Sequence, residues 1–205
     1  MAVNLVENKS KNKIFKPIGA SSHTSNVRQE NDFYATSPKA SELLLEFEDI
    51  NHNIIDNSIG AGHLMQPFIQ KGYNVKGFDI VDRGYPNTII GDFLEYTPTK
   101  KVTADIICNP PYKLAQEFIE HSLDIIEEGY KVCAFLKVLF LEGKKRKKLF
   151  EAQPPKIVYV SSSRILCAKN AMFEDMEKGG GSAVAYAWFV WHKGYKGDTI
   201  VKWIN

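Results

Sequence analysis

Short apolar runs alternate with longer amphipathic segments along most of the chain. The apolar runs predict strands over residues 53–58, 74–80, 87–93, 104–110, 131–137, 156–161, 183–191 and 199–204. Apolar residues at helical spacing predict helices over residues 37–47, 62–72, 114–129 and 141–153. Strands that alternate with helices indicate an α/β fold, in which a mostly parallel sheet carries helices on both faces.

The two ends of the chain depart from this alternation. The last two predicted strands follow one another without a helix, so we expect them to join the sheet antiparallel, the final one at an edge. Residues 1–30 are polar and predict a flexible N-terminal arm. Residues 162–182 predict an irregular, glycine-bearing insert. Residues 31–205 are then expected to form a single domain.

Composition excludes several classes of protein. The net charge is only +2, so attraction to nucleic acid must come from local clusters of charge. The three cysteines are far apart and the five histidines lack metal-ligand spacing, which predicts reduced thiols, no structural metal and a cytoplasmic protein. No apolar stretch is long enough to cross a bilayer and no signal-peptide core is visible, so we expect no membrane association.

Ligands of open α/β sheets bind beyond the carboxyl ends of the strands, so residues there are candidates for a site. The first strand ends at Asp56 and is followed by a turn containing Gly60 and Gly62. An acid before such a turn suits a ligand with a cationic amino acid group, although a plain strand-helix turn would look the same. Asp79 ends the second strand, roughly 20 residues after the turn, where an acid commonly binds ribose hydroxyls.

The next two strand ends extend the series. Asp92 could accept a hydrogen bond from an adenine amino group, and Phe93 could pack on the adenine ring. The fourth strand ends in the sequence NPPY, residues 109–112, whose prolines make a rigid corner. There the Asn109 side chain and a backbone carbonyl could accept both N–H bonds of one NH₂ group, while Tyr112 offers a flat ring. The alternative is a turn that merely ends the strand.

The segments DNSIGAG, FDIVD, GDF and NPPY resemble the ordered motifs of class I S-adenosylmethionine-dependent methyltransferases. Together with FYATSP, they resemble the N6-adenine DNA methyltransferases of the small phage and prophage type. The resemblance covers about residues 31–205 and implies a Rossmann-like sheet, S-adenosylmethionine as cofactor and DNA as partner. It also implies a target adenine that is flipped out of the duplex. Asn57 departs from the pattern, because relatives usually carry proline there.

The resemblance also implies a role for individual residues. Thr36 and Pro38 would flank the methionine part of the cofactor, and Gly60 and Gly62 would wrap it. The complete set of expected cofactor-binding residues is Thr36, Pro38, Asp56, Gly60, Gly62, Asp79, Asp92, Phe93 and Asn109. The residues expected to hold the target base are Asn109, Pro110 and Tyr112.

Basic residues suggest where DNA would bind. We predict phosphate contacts from the basic segment, residues 144–148, and from the insert; these residues are Lys144, Lys145, Arg146, Lys147, Lys148, Arg164 and Lys169. Lys131 and Lys137 are close to the basic segment in sequence. A solvated helix face and a surface loop are the alternatives. No separate target-recognition domain is visible, so specificity is low or comes from the insert, the arm or a homodimer.

Two other functions remain open from the sequence. NPPY also resembles methyltransferases that act on RNA bases or on glutamine amides of proteins, whose NH₂ groups share a delocalised lone pair. A non-catalytic nucleic-acid-binding module that retains the fold is the third hypothesis.

Overall fold

The computed structural model describes residues 34–169, 173–174 and 184–205. The predicted N-terminal arm and much of the predicted insert lie outside these residues. The strands are β1 (Tyr34–Thr36), β2 (Asn53–Asp56), β3 (Asn74–Asp79), β4 (Thr88–Ile90), β5 (Asp105–Cys108), β6 (Lys131–Lys137), β7 (Ile157–Ser161), β8 (Cys167–Lys169), β9 (Tyr186–His192) and β10 (Ile200–Ile204). The α-helices are α1 (Lys39–Phe47), α2 (Gln66–Gln70), α3 (Ala115–Ile125) and α4 (Lys144–Ala152).

The described strands form an eight-stranded mixed sheet in the order β10-β7-β9-β6-β5-β2-β3-β4. β2 lies between β3 and β5 and runs parallel to both, with Ile54 opposite Asp105 and Ile55 opposite Ile106. The predicted α/β class with a mostly parallel sheet is therefore confirmed. The strand order changes direction between β2 and β5, and such a switch point leaves a crevice beyond the carboxyl ends of the two strands.

The last two strands of this sheet behave differently from each other. β9 pairs antiparallel with both β6 and β7, as the sequence predicts. β10 lies at the edge but pairs parallel with β7, so the prediction of an antiparallel pairing was wrong for this strand. β10 runs opposite to β9, as expected for consecutive strands. However, β7 lies between them and is also antiparallel to β9, so β10 and β7 run in the same direction.

The predicted irregular insert contains a strand. β8 pairs antiparallel with β1 in a two-stranded ribbon, with Tyr34 opposite Lys169 and Thr36 opposite Cys167. The backbone N–H of Ser37 extends the pairing by donating to Leu166, at 3.0 Å. The ribbon therefore fixes the residues before α1, which would otherwise be a free end of the described chain.

Two apolar layers hold the helices on the sheet. On one face, Leu44 of α1 and Phe68 of α2 are fully buried together with Trp188 of β9, whose indole N–H donates to the Ala40 carbonyl at 2.7 Å. On the other face, Ile119 of α3 and Phe189 of β9 are fully buried. Burying a side chain of this size contributes about 1.5–3 kcal/mol, so these layers supply most of the driving force for folding.

Within the described part of the chain, no helix has the length and apolar character needed to span a membrane. The same residues contain no group of three or more histidine, cysteine, aspartate or glutamate side chains suited to a metal ion. Cys108, Cys133 and Cys167 are buried and unpaired.

A buried ion pair joins α1 to the sheet at the amino ends of the parallel strands. Glu48 Oε2 lies 2.9 Å from Lys131 Nζ, and the Tyr159 hydroxyl donates to Glu48 Oε1 at 2.7 Å. Burial raises the pKa of Glu48, but His192, Lys131 and Tyr159 together outweigh it and lower the pKa to about 2. Lys131 therefore belongs to this pair at the amino end of β6, whereas Lys137 lies at the carboxyl end.

We expect Glu48→Gln to lower the free energy of unfolding at pH 7 by about 3 kcal/mol, because it leaves the Lys131 ammonium without its counterion. The folded pKa of about 2 lies below the ordinary 4.5, so this stabilisation is complete above pH 4.5 and declines as the pH falls toward 2. Urea unfolding of the unaltered protein and of Glu48→Gln, at pH 7 and at pH 3, measures this difference in the free energy of unfolding. Glu46→Gln, at an exposed position of α1, is the control, and an equal effect of the two substitutions would contradict the prediction.

Candidate active site

A small cleft lies beyond the carboxyl ends of β2 and β5. Its polar lining comes from four segments of the chain: Thr36 of β1, Asp56 at the end of β2 with Ser58 after it, His63, and Asn109 after β5. Three residues that were predicted separately, Thr36, Asp56 and Asn109, thus meet in one place. Pro38 does not line the cleft; it begins α1, where its carbonyl accepts the N–H of Glu42 at 3.1 Å.

The glycine turn after β2 lies next to the cleft. Gly60 and Gly62 have φ values of 57° and 79°, a left-handed conformation that suits glycine. A Cβ atom on Gly62 would lie 2.3 Å from Cδ2 of Tyr85, so only glycine fits under this ring. A short 3-10 turn follows, and Pro67 then sits in the first turn of α2, which explains the late start of that helix.

Asp79 connects the end of β3 to this turn. Its Oδ2 accepts the N–H of Gly60 and its Oδ1 accepts the N–H of Val81, both at 2.9 Å. Arg83 Nε lies 3.8 Å from Oδ2. Because a carboxylate has about four acceptor positions, these contacts leave room for a further donor. Asp79 therefore lies beside the glycine turn and holds that turn in shape, and its predicted contact with ribose stays a prediction.

Asp92 and Phe93, which follow β4 after Gly91, have different environments. Asp92 is exposed, and its Oδ1 accepts the N–H of Leu94 at 2.9 Å. Phe93 is only 2% exposed and packs between Phe78 and Phe118, with ring centroids 5.4 and 5.6 Å away. Its position in the core does not support the expectation that its ring packs on an adenine, because its faces already contact protein.

Asn109 is held in a defined orientation. Its side-chain Nδ2 donates to Thr36 Oγ1 at 2.8 Å and points toward the Tyr34 carbonyl at 3.5 Å. Its Oδ1 is buried and has no hydrogen-bond partner among the described residues. An unpartnered buried acceptor is costly, so this oxygen marks the place where a ligand donor would bind.

The backbone of the proline corner leaves one further acceptor. The carbonyl of Asn109 accepts from the Ser58 hydroxyl at 3.1 Å, and the carbonyl of Pro111 accepts from the N–H of Leu114 at 2.9 Å. Among the backbone hydrogen bonds of the described residues, none is donated to the Pro110 carbonyl, so it stays a candidate for the predicted backbone acceptor.

Tyr112 belongs to an aromatic cluster that the sequence did not reveal. Its hydroxyl lies 2.9 Å from that of Tyr186, and its ring centroid is 5.9 Å from that of Tyr34. The Lys137 ammonium lies 4.3 Å from the Tyr112 ring centroid, within cation–π distance. Burial raises the pKa of Tyr112, so the phenol stays neutral. Tyr34 is in the quoted FYATSP segment, but nothing in the sequence indicated its contact with Tyr112.

Asp56 is a carboxylic acid of the cleft whose pKa is strongly shifted. It is 1% exposed, and its Oδ1 accepts the N–H of Ser58 at 2.9 Å. Burial raises the pKa of Asp56 to about 7, with a further contribution from the negative charge of Asp79. A bound cation would favour the charged form again, and perturbed acids in clefts often belong to functional sites.

The basic segment forms the start of α4. Lys144, Lys145 and Lys148 are exposed, while Lys147 Nζ lies 3.5 Å from Glu151. Arg146 is engaged within the protein, because its guanidinium lies 4.8 Å from the Phe140 ring centroid and donates to the Glu142 carbonyl. Of the two insert residues, Arg164 is exposed in the connection before β8, and Lys169 is in β8 itself.

Comparison with known proteins identifies the fold. No protein-family model and no curated protein matches the sequence. A proposed class I S-adenosylmethionine-dependent methyltransferase from Listeria monocytogenes superposes with a TM-score of 0.53 and 14% identity, over 80% of this chain and 62% of that one. A predicted O-methyltransferase from Agrobacterium tumefaciens gives a TM-score of 0.55 and 14% identity, over 80% and 84% of the two chains.

A third structure is the modification subunit of a proposed type I restriction enzyme from Vibrio vulnificus YJ016. It superposes with a TM-score of 0.57 and 10% identity, over 87% of this chain and 48% of that one. This chain therefore spans less than two thirds of the Listeria and Vibrio proteins. At such low identities the likeness concerns the fold: the chain has the Rossmann-like fold of class I methyltransferases.

We expect Asp56→Asn to raise the free energy of unfolding by about 2–4 kcal/mol at pH 8 and to leave it nearly unchanged at pH 4. The pKa of Asp56 is about 7 in the folded protein, above the ordinary 3.8. The free energy of unfolding of the unaltered protein therefore falls as the pH rises from 3.8 to about 7. The asparagine oxygen can still accept the Ser58 N–H. Urea unfolding at the two pH values tests this, with Asp82→Asn at an exposed position as control. Equal gains at both pH values would contradict it.

Proposed function

We propose that the chain transfers a methyl group from S-adenosylmethionine to the exocyclic N6 nitrogen of adenine in DNA. The observation that carries the proposal is the buried, unpartnered Oδ1 of Asn109 in the cleft of a methyltransferase fold. The three solved neighbours support methyl transfer in general, and the modification subunit from Vibrio supports DNA as the partner.

The residues of the cleft fit the expected cofactor. S-adenosylmethionine would supply a methyl group made electrophilic by a sulfonium. Asp56 is the partner for its α-ammonium group, because a cation there would offset the desolvation that raises the pKa of this buried carboxyl. The tight turn at Gly60 and Gly62 lets a ligand approach the backbone, and Asp79 beside it suits ribose hydroxyls.

The proline corner fits an acceptor with an NH₂ group. The lone pair of adenine N6 is delocalised into the ring and is a poor nucleophile. Two acceptors, Asn109 Oδ1 and the Pro110 carbonyl, would take both N–H bonds and turn the lone pair toward the methyl donor. Since the Asn109 Nδ2 donates to Thr36, Asn109 presents its side-chain oxygen to a ligand, which favours an amine over a carbonyl at this position.

The remaining contributions are positional. Tyr112 provides the aromatic surface for the target base, with Lys137 held against its ring. No strong base is required, because the methylated amine loses its proton readily to water or a carbonyl. Holding both reactants in one cleft then supplies much of the rate enhancement. Exposed Lys144, Lys145 and Lys148 provide sequence-independent attraction to phosphates.

Incubation with methyl-tritiated S-adenosylmethionine and DNA, RNA or protein tests the proposal. Label recovered from DNA as N6-methyladenine supports it. Label in an RNA base or a protein glutamine would assign the chain to the corresponding alternative, and absence of label from all three would indicate a non-catalytic binding module.

We expect Asn109→Ala to reduce methyl transfer at least about 100-fold while S-adenosylmethionine still binds, because the target amine loses a hydrogen-bond acceptor whereas Asp56 and the glycine turn, which are proposed to hold the cofactor, are unchanged. Asn109→Asp keeps an oxygen that can accept from the amine and a second one that can accept from the Thr36 hydroxyl. It should therefore retain more activity than the alanine variant. Initial rates and calorimetric cofactor binding are the measurements.

Asn74→Ala provides the matched control, because Asn74 is exposed at the amino end of β3, away from the cleft. Full activity of Asn109→Ala would contradict the mechanism. A loss of cofactor binding equal to the loss of rate would assign Asn109 to the cofactor instead.

A further inference from the structure

We propose that Leu139 is an apolar wedge that enters the base stack of duplex DNA as the target adenine leaves it. The inference rests on the proposed function and names how its substrate is opened. Leu139 is 66% exposed on the 3-10 turn Val138–Leu141, which directly follows β6 at the same edge of the sheet as the cleft. Leucine is among the side chains that proteins insert between base steps.

The turn that presents Leu139 is held firmly. Phe140 is 8% exposed and packs edge-on against Phe150 and Phe189, with centroids 6.0 and 5.6 Å away. Arg146 lies over Phe140 and donates to the carbonyls of Leu139 and Glu142. Phe140 is the buried residue of this turn, and Leu139 is left exposed on a turn that Phe140 and Arg146 anchor to the protein.

The residues on either side of Leu139 in the sequence suit two other parts of the DNA, namely the flipped base and the phosphates. Two residues before it, the Lys137 ammonium contacts the ring of Tyr112, the surface proposed for the flipped base. A few residues after it, Lys144, Lys145 and Lys148 are exposed at the start of α4 and can contact phosphates. Along the chain, Leu139 thus stands between a residue that contacts the proposed base surface and a cluster of exposed cations, which is the order that a wedge beside a flipped base requires.

The wedge predicts a specific dependence on strandedness. Extruding a base from a duplex costs free energy because stacking and pairing are lost, and a side chain that fills the gap offsets part of this cost. A single strand has no such gap, so its adenines reach the pocket without the wedge. The role of Leu139 is therefore seen in the ratio of methyl transfer to duplex over transfer to single-stranded DNA.

The experiment uses a single-stranded DNA circle and its double-stranded form, which carry the same sequence. Initial rates with tritiated S-adenosylmethionine are measured for the full chain and three variants. We expect Leu139→Ala to lower the duplex to single-strand ratio about tenfold or more, and Leu139→Met, which keeps an apolar side chain of similar length, to restore most of it. Ile69→Ala, at an exposed position of α2, should give the ratio of the unaltered chain.

The possible outcomes distinguish a failure of the wedge from a failure of the proposed function. A ratio in Leu139→Ala equal to that of the unaltered chain would overturn the wedge and leave adenine methylation in place. Transfer by the unaltered chain to single-stranded DNA only would also overturn it, because no duplex would then be opened. N6-methyladenine in neither DNA form would overturn the proposed function, and the wedge with it.

Discussion

The hydrogen bond from Asn109 Nδ2 to Thr36 Oγ1 is the contact on which the cleft depends. It joins the corner after β5, which is part of the large sheet, to β1, which is part of the separate ribbon. Because the amide nitrogen is fixed toward Thr36, the amide oxygen must face the cleft. Thr36 in turn stays in place because β1 pairs with β8. A strand in the predicted irregular insert therefore decides which atom of Asn109 a ligand meets.

Two buried acids show how the same chemical group is used at the two ends of the sheet. Glu48, at the amino ends of the strands, has Lys131 and Tyr159 as partners, which lower its pKa and stabilise the fold. Asp56, at the carboxyl ends, has little to offset its burial, so its pKa rises. The unpartnered oxygen of Asn109 is a second cost at the same end. Local costs that a ligand can relieve are typical of binding sites, whereas satisfied networks are typical of structural contacts.

The sequence was sufficient for the parallel core and for the meeting of Asp56 with Asn109, because the carboxyl ends of neighbouring parallel strands share one edge. It was insufficient for β8, a three-residue strand without periodicity whose partner Thr36 lies far away in sequence. It was also insufficient for Phe93, since a motif gives a position along the chain but not the direction of a ring. The exposed leucine on the turn after β6 carried no signal, because its meaning depends on Phe140 being buried beside it.

The position of β9 has a consequence for how the chain is completed. Among the described strands, β7 pairs only with β9 and β10, and both follow it in the sequence. While the protein emerges from a ribosome, β7 thus has no neighbour, and one side of β6 stays open, until residues 186–192 have been made. Open strand edges invite association with other chains during this interval. The C-terminal segment therefore completes the sheet, and a nascent chain lacking it would leave β7 unpaired on both sides and β6 unpaired on one.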